Sequence, residues 1–367
     1  MDSTVSRKHY LDNLRAFLVI LVIMHHAGQA YGPGGAWPVI DGAPVKWLGT
    51  FFSINAAFFM GLFFFISGYV MPGAYRKYGT REFMISKIKR LIIPLAVVSF
   101  GIFLPINYAS GNYPSFGAYL SHLTTSDGVQ SIVGHLWFVQ HLFIYSVAFA
   151  SAVWLIRKIR PRPEESSARP VFSPVLLYSV AAALLVFVAF ASYAVRMSYP
   201  IDRWVVVLKY VRCEPAHLPQ YAAFFFLGTA AGRYGVIERI RSFDGRIFGA
   251  AAILVIVLRI IFAGRIYSSP LTYAFIESAI AVTVSVGLLS LFRDFLNRMN
   301  GVSRFFSDNA YGVYLYHVFP MVGMQMAIAG SKAGGEVKFV GISFMSILMS
   351  YTAVWLVRLI PAVRKCV

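Results

Sequence analysis

Charged side chains are scarce in this sequence. Only 13% of its 367 residues are Asp, Glu, Lys or Arg, whereas 58% are hydrophobic and the mean hydropathy is +0.66. Long apolar runs recur from one end to the other, which excludes a soluble globular domain. The sequence therefore predicts an all-α fold, a polytopic membrane bundle.

Cysteine and acidic residues are also few. The two cysteines, Cys213 and Cys366, suggest neither a disulfide framework nor a metal site. The 15 acidic and 33 basic residues give a formal charge of +18. Because the basic residues are dispersed among apolar runs and form no stripe with interleaved aromatic residues, a nucleic-acid partner is not expected. The expected partner of these runs is the lipid bilayer.

Ten membrane spans can be drawn along the chain. They lie at about 14–32, 50–71, 91–108, 133–156, 172–195, 218–232, 247–263, 270–292, 306–328 and 339–360. Most of the 33 basic residues fall in segments that are cytosolic if the N-terminus is cytosolic, so the positive-inside rule predicts both termini inside. We interpret 1–367 as a single membrane domain, in which the polar, Pro-rich stretch 157–171 is a cytosolic linker.

The first span carries an unusual polar pattern. Asp12 and Arg15 stand at its start, and His26 follows eleven residues after Arg15, about 16 Å further along the helix and near the middle of the bilayer. At about 100° per residue, His26 returns to within roughly 40° of the face that carries Asp12. This stripe fits a cavity-lining helix that admits a charged ligand from one side. The alternative is a set of helix-end anchors with a histidine that is hydrogen-bonded inside the bundle.

Other polar residues fall in apolar sequence or just beside it. His135, Trp137 and Gln140 open the fourth span, with Trp137 at the interface. Glu277 is the carboxylate of the eighth span, a functional candidate that could instead pair with Arg259. His317 lies in an aromatic stretch, and Pro320 could loosen the helix beside it.

Three segments outside the spans each have two interpretations. The basic stretch 76–94, which includes Arg76, Lys87, Lys89 and Arg90, reflects either the positive-inside bias or a phosphate-binding patch. The Gly- and Pro-rich loop 32–49, with two Trp residues, is either an ordered cap or an interfacial anchor. Loop 196–217 either lies at the interface or contacts substrate.

The spacing of Arg7, Asp12, Arg15 and His26 resembles the first helix of the integral-membrane acyltransferase-3 family. The later stretches FFFISGY, KRLIIP, HLWFVQHL, QYAAFFFLG and YGVYLYH are similar to that family's blocks in the same order. The branch it resembles includes periplasmic-glucan succinyltransferases and exopolysaccharide or nodulation-factor acetyltransferases. Ala16 replaces a frequent Gly, and no esterase-like domain follows, so the bundle itself would complete the transfer.

The resemblance implies a ten-helix enzyme of the inner (cytoplasmic) membrane. It would move an acyl group, acetyl or succinyl-like, from cytosolic acyl-CoA to a hydroxyl of a glycan or another exported acceptor, without a metal or prosthetic group. In that scheme His26 is the general base and Asp12 orients Arg15. Arg15, with Arg76, Lys87, Lys89 or Arg90, would hold the donor phosphates. The candidates for oxyanion stabilisation or substrate contact are His135, Trp137, Gln140, Glu277, Tyr314 and His317.

Other interpretations stay open at this point. A transporter or flippase would use the intramembrane histidines and Glu277 for proton coupling. A haem or metal protein would use His25, His26, His135 and His141. For an enzyme, the sequence does not choose between direct transfer and a covalent acyl-histidine, and it leaves the oligomeric state open.

Overall fold

The computed structural model describes residues 8–34, 37–111, 113–159 and 172–361. Within these ranges the chain is almost entirely helical. The α-helices are α1 His9–Gly28, α2 Lys46–Lys87, α3 Ile93–Val98, α4 Leu104–Ser110, α5 Phe116–His122, α6 Ser126–Val133, α7 Trp137–Ile159, α8 Pro174–Arg196, α9 Leu218–Tyr234, α10 Ser242–Ile261, α11 Ala263–Tyr267, α12 Pro270–Phe295, α13 Gly301–Tyr316, α14 Val318–Ile328 and α15 Gly335–Val357. Two π-helical segments, Ile88–Ile92 and Ser99–Phe103, join α2, α3 and α4 into a nearly continuous helical run.

Each of the ten predicted spans coincides with helical segments of the structure. Among the described residues, six helical stretches are long and apolar enough to cross a bilayer. The all-α polytopic membrane bundle is thereby confirmed. The count of ten and the cytosolic termini stay predictions. Helix α7 continues to Ile159, and the remainder of the predicted linker, 160–171, lies outside the described residues.

A short β-hairpin interrupts the all-helical pattern in loop 196–217. Strand β1, Val205–Val207, pairs antiparallel with β2, Val211–Cys213. β-branched valines favour extended backbone, which explains the strands. The turn places Leu208 and Lys209 at φ of 51° and 65°, the left-handed region that hairpin turns require. The sequence prediction missed this element because neither turn residue is glycine or asparagine.

The chain divides into two compact units. The first unit contains the described residues of 1–63, 172–189 and 235–364, and the second unit contains those of 64–171 and 190–234. In the first unit, α1 packs against α12, α13 and α15, while α10 packs along α12. Leu14, Leu18 and Ile23 of α1 are fully buried. Helix α1 is therefore the central helix of the first unit.

The second unit depends on small residues where α2 crosses α9. A Cβ atom at Gly68 would collide with the backbone oxygen of Phe225, and one at Gly232 would collide with that of Tyr69. Small residues are what allow two helix backbones to approach this closely in a membrane. Next to the crossing, the ring of Phe64 packs 4.7 Å from that of Phe138, measured between centroids.

Candidate active site

The two histidines His26 and His317 contact each other inside the first unit. Nδ1 of His26 lies 2.8 Å from Nε2 of His317, a hydrogen-bonding distance. The two ring planes are parallel to within 1°, with centroids 5.1 Å apart. His317 is fully buried. His26 of the first helix therefore contacts a second polar side chain, that of His317, which lies 291 residues further along the chain.

The position of His317 follows from a helix break. Pro320 has no N–H to donate to the carbonyl of Tyr316, and its ring clashes with that carbonyl, so a continuous helix is disfavoured here. The structure ends α13 at Tyr316 and begins α14 at Val318. At the break, Nδ1 of His317 lies 3.1 Å from the carbonyl oxygen of Val313 and 2.9 Å from that of Tyr314. His317 therefore caps the last turn of α13 with its own side chain.

Trp37 packs on a face of the His26 ring. Its ring stacks on the imidazole at a centroid distance of 5.4 Å, with planes 25° apart. The indole N–H donates to Oε1 of Gln325 over 2.8 Å, and Nε2 of Gln325 donates to the carbonyl of Ala27 over 3.1 Å. Loop 32–49 is thereby tied to α1 and α14 at the level of His26.

A buried ion pair anchors the same loop further along. Nζ of Lys338 lies 2.7 Å from Oδ2 of Asp41, and the two side chains are only 5% and 8% exposed. The backbone N–H of Gly330 donates to Oδ1 of Asp41 over 3.2 Å. The hydrogen bond from Lys338, helped by that from Gly330, lowers the pKa of the Asp41 carboxyl below its ordinary value. Asp41 is therefore ionised at neutral pH and ties the loop to α15.

His25 lies beside His26 but in different surroundings. Its ring packs against Phe52 and Phe59, with centroid distances of 5.0 and 5.2 Å. Its Nε2 is 3.2 Å from Nε2 of Gln29, the residue that follows the end of α1. The two adjacent histidines thus point to different neighbours, as the 100° step of a helix requires.

Asp12 and Arg15 form an ion pair near the start of α1. Nη1 of Arg15 is 3.2 Å from Oδ1 of Asp12, and the side chains are 32% and 18% exposed. Eleven helical residues, about 16 Å, separate Arg15 from His26, so this pair does not touch the imidazole. The geometry supports an orienting role of Asp12 toward Arg15 and none toward His26.

The basic cluster Arg76, Lys87, Lys89 and Arg90 belongs to the second unit. Arg76, Lys89 and Arg90 are exposed, and Nζ of Lys87 lies over the ring of Phe83 at 5.1 Å. Gly79, with φ of 72° and ψ of 178°, kinks α2 between Arg76 and Lys87. The cluster is thus a solvent-accessible basic surface, and its joint action with Arg15 on a donor stays a prediction.

His135, Trp137 and Gln140 also lie in the second unit. The amide of Gln140 donates to the carbonyl of Tyr210 and accepts from the N–H of Arg212, at 3.0 and 3.2 Å. It therefore holds the hairpin to α7. Trp137 stacks on Tyr221 with 5.3 Å between centroids. The roles of Trp137 and Gln140 toward a substrate stay predictions.

The ring of His135 packs against that of Phe103, with 5.7 Å between centroids.

Two other candidates, Glu277 and Tyr314, are buried in the first unit at 5% exposure each. Arg259, the alternative partner of Glu277, donates to the hydroxyl of Tyr267 over 3.0 Å and lies on α10, which packs along α12. The roles of His135, Glu277 and Tyr314 stay predictions.

Sequence reasoning missed the roles of Trp37 and Gln325. The sequence predicts that the Gly- and Pro-rich loop 32–49 is an ordered cap or an interfacial anchor, but nothing in it indicates which of its two tryptophans faces inward. Gln325 carries a weak signal, since it is a buried amide in the apolar helix α14 and such groups need partners. Neither signal points to His26.

Comparison with known families decides the class of the protein. A family model of the acyltransferase-3 type, described as an acyltransferase domain, matches residues 8–359. The chain belongs to this family. It is an acyltransferase of the multi-pass membrane type, and the transporter interpretation is not favoured.

Three relatives of this acyltransferase share one name. Glucans biosynthesis protein C of Escherichia coli (strain SMS-3-5 / SECEC) is 24% identical over 324 residues, 85% of this chain and 81% of that protein. Its namesakes from Salmonella typhi and Salmonella typhimurium are each 27% identical over 236 residues, 61% of this chain and 58% of those proteins. No solved structure matches the chain.

Within the described ranges, no group of three or more His, Cys, Asp or Glu side chains is close enough to hold a metal ion.

Proposed function

We propose that this protein transfers an acyl group, acetyl or succinyl-like, from acyl-CoA to a hydroxyl of a glucan or related glycan, with His26 as general base. The observation that carries the proposal is the contact between the half-buried His26 and the fully buried His317 in a chain of the acyltransferase-3 family. An imidazole is suited to this task because its ordinary pKa of about 6.5 lets it take and return a proton near neutral pH.

One imidazole, that of His26, is sufficient for both proton transfers of the reaction. His26 takes the proton of the acceptor hydroxyl as that oxygen attacks the thioester carbonyl carbon. The C–O bond forms, the C–S bond breaks, and His26 returns the proton to the departing thiolate of coenzyme A. The products are an ester and free coenzyme A, and no oxidant or reductant is needed.

We assign Arg15 to the donor. A guanidinium binds phosphate oxygens with two parallel hydrogen bonds. Arg15 is 32% exposed and its orientation is held by Asp12. It lies on the same helix as His26, about 16 Å away, a separation that the extended thioester arm of a coenzyme could span. The phosphate-bearing end and the reacting end of the donor would then be held by one helix.

The proposed class of acceptor, a glucan or related glycan, is inferred from the relatives. Their name connects them with the biosynthesis of glucans, and a glucan offers many hydroxyl groups of the kind that the mechanism requires. The inner membrane, where a cytosolic donor and an exported acceptor can both be reached, is the proposed location.

The test is an acyl-transfer assay with the full-length protein in lipid nanodiscs, offered acetyl-CoA or succinyl-CoA and a β-glucan oligosaccharide. The ester product is measured by mass spectrometry. His26→Gln should lower kcat by about 10²- to 10⁴-fold, the usual contribution of a general base. His25→Gln is the matched control, because it removes the adjacent intramembrane histidine, and it should keep activity within about threefold of the wild type.

Near-normal turnover by His26→Gln would remove His26 from the mechanism. An acyl adduct on His26 in acid-quenched protein would replace direct transfer by a covalent intermediate. In cells, a deletion strain should lack an ester mass on its envelope glycans, and that missing mass identifies the acyl group.

A further inference from the structure

His317 contacts His26 through a nitrogen whose protonation can be deduced. Nδ1 of His317 lies within 3.1 Å of two backbone carbonyl oxygens, those of Val313 and Tyr314. Carbonyl oxygens only accept hydrogen bonds, so Nδ1 of His317 carries a proton. A fully buried imidazole is favoured in its neutral form, because a charge buried in an apolar setting is costly. Neutral His317 therefore has a lone pair on Nε2.

That lone pair fixes the tautomer of the neighbouring ring. Nε2 of His317 is 2.8 Å from Nδ1 of His26 and can only accept, so Nδ1 of His26 must be the donor. A neutral His26 with its proton on Nδ1 carries its own lone pair on Nε2. The parallel ring planes align the Nδ1–H bond with its acceptor.

We propose that His317 is a positioning residue that holds His26 in the Nδ1–H tautomer and makes Nε2 the nitrogen that takes the acceptor's proton. The inference rests on the proposed function for its catalytic meaning. It also gives His317 a different task from oxyanion stabilisation, since both of its ring nitrogens already face protein groups.

The same contact acts after proton transfer. When Nε2 of His26 receives the hydroxyl proton, the ring becomes a cation whose Nδ1–H still donates to His317. A hydrogen bond from a charged donor is stronger than one between neutral groups, so the cation is favoured relative to the neutral ring. The orienting partner is an imidazole where many enzymes use a carboxylate, which avoids placing a negative charge among apolar helices.

The origin of this arrangement is local. Pro320 interrupts the helix so that α13 ends at Tyr316, and at this end the His317 side chain turns back to the carbonyl oxygens of Val313 and Tyr314. The Val313 oxygen also accepts the backbone N–H of His317. In this conformation Nδ1 of His317 carries the proton, and Nε2 of His317 faces His26 on α1. A substitution of His317 that removes the Nε2 acceptor should therefore change the tautomer of His26, although His26 itself is not mutated.

The experiment combines two variants with a direct reading of the tautomer. The full-length protein is labelled with ¹⁵N-histidine and reconstituted in lipid bilayers, and the signals of His26 are identified by their loss in His26→Gln. Solid-state NMR should show a protonated Nδ1 and an unprotonated Nε2 for His26 in the wild type. His317→Leu should shift His26 toward the Nε2–H tautomer and lower kcat by roughly 10- to 100-fold.

His317→Gln is the conservative variant, because its side-chain oxygen can occupy the place of Nε2 and accept the same hydrogen bond. It should keep the Nδ1–H tautomer and recover activity to within about fivefold of the wild type. Gel filtration of both variants separates misfolding from a change at His26.

The inference about His317 is overturned if wild-type His26 carries its proton on Nε2, or if His317→Leu leaves the tautomer unchanged. Those results are distinct from failure of the proposed function. That failure is near-normal turnover by His26→Gln, and it can occur with the tautomer as assigned.

Discussion

The indole of Trp37 lies against the imidazole of His26, with ring centroids 5.4 Å apart and planes inclined by 25°. His26 is thus held on one side by an aromatic ring and at its Nδ1 edge by His317. A ring held in this way loses little freedom when substrate binds, which is a condition for efficient proton transfer.

The first prediction separates stacking from hydrogen bonding at Trp37. Trp37→Ala removes both the stacked ring and the donor to Gln325, and kcat should fall about tenfold because the His26 ring is no longer held in place. Trp37→Phe keeps a stacking ring and should retain most of the activity. Trp47→Ala is the control, since Trp47 is 48% exposed and packs against Phe51 and Phe339. Equal losses in Trp37→Ala and Trp37→Phe would assign the effect to the hydrogen bond.

The second prediction concerns donor binding. Arg15→Ala should raise the Kd for acyl-CoA about tenfold, because it removes a charge-assisted contact to phosphate. Rising ionic strength should weaken donor binding further, since salt screens the remaining charges. Arg265→Ala, at an exposed arginine of α11, serves as the control in the same binding titration. Unchanged donor affinity in Arg15→Ala would rule out this assignment.

The third prediction is a pH dependence of stability at Asp41. Because the pKa of Asp41 is lower in the folded protein than in the unfolded chain, its stabilising effect is complete above the unfolded pKa of about 4 and disappears as the pH falls through the folded pKa. Asp41→Asn should cost about 2 kcal/mol at pH 7, the scale of a hydrogen bond to a charged group. Thermal unfolding in detergent at a series of pH values measures this.

The difference in Tm between wild type and Asp41→Asn should shrink as the pH is lowered below 4, since protonated Asp41 resembles Asn. The double variant Asp41→Asn with Lys338→Met should recover part of the loss, because no buried ammonium is then left without its carboxylate. A Tm difference that is constant with pH would contradict the ion-pair explanation.

The fourth prediction compares two helical glycines. Gly232→Ala should destabilise the protein by roughly 1–3 kcal/mol, because the added Cβ collides with the backbone oxygen of Tyr69. This oxygen can move only if the backbone of α2 moves with it. Gly341→Ala, on α15, meets nothing within 4 Å and should be neutral or stabilise by up to about 1 kcal/mol through helix propensity. Thermal unfolding of the two single variants tests the contrast, and equal effects would show that α2 and α9 can separate slightly.

Much of the fold was predictable because a bilayer imposes a strong pattern. Runs of about 20 apolar residues mark helices wherever they occur, so each predicted span falls on a helical segment. The hairpin was not predictable in this way, since two strands of three residues give too short an alternation and the turn lacks its usual residues. The kink of α2 at Gly79 likewise depends on one backbone conformation.

The candidate site was predictable only along a single helix. Helical periodicity relates Asp12, Arg15 and His26 to one another, because 100° per residue fixes their directions within α1. The sequence indicates His317 as a histidine in an aromatic stretch and as a candidate for oxyanion stabilisation or substrate contact, but it does not indicate the contact with His26. The sequence also did not indicate that the Gln140 amide hydrogen-bonds the hairpin backbone, and its part in oxyanion stabilisation stays a prediction.

The amino-acid sequence by itself determined that this chain is a helical membrane protein, that its first helix carries a titratable ring eleven residues after Arg15, and that it resembles acyltransferases. Only the tertiary structure decided that this ring meets His317, which lies 291 residues away in the chain, and Trp37. The reason is physical. Local periodicity fixes which face of a helix a side chain occupies, but the packing of α1 against α13 and the bonding of loop 32–49 to α14 determine what that face touches.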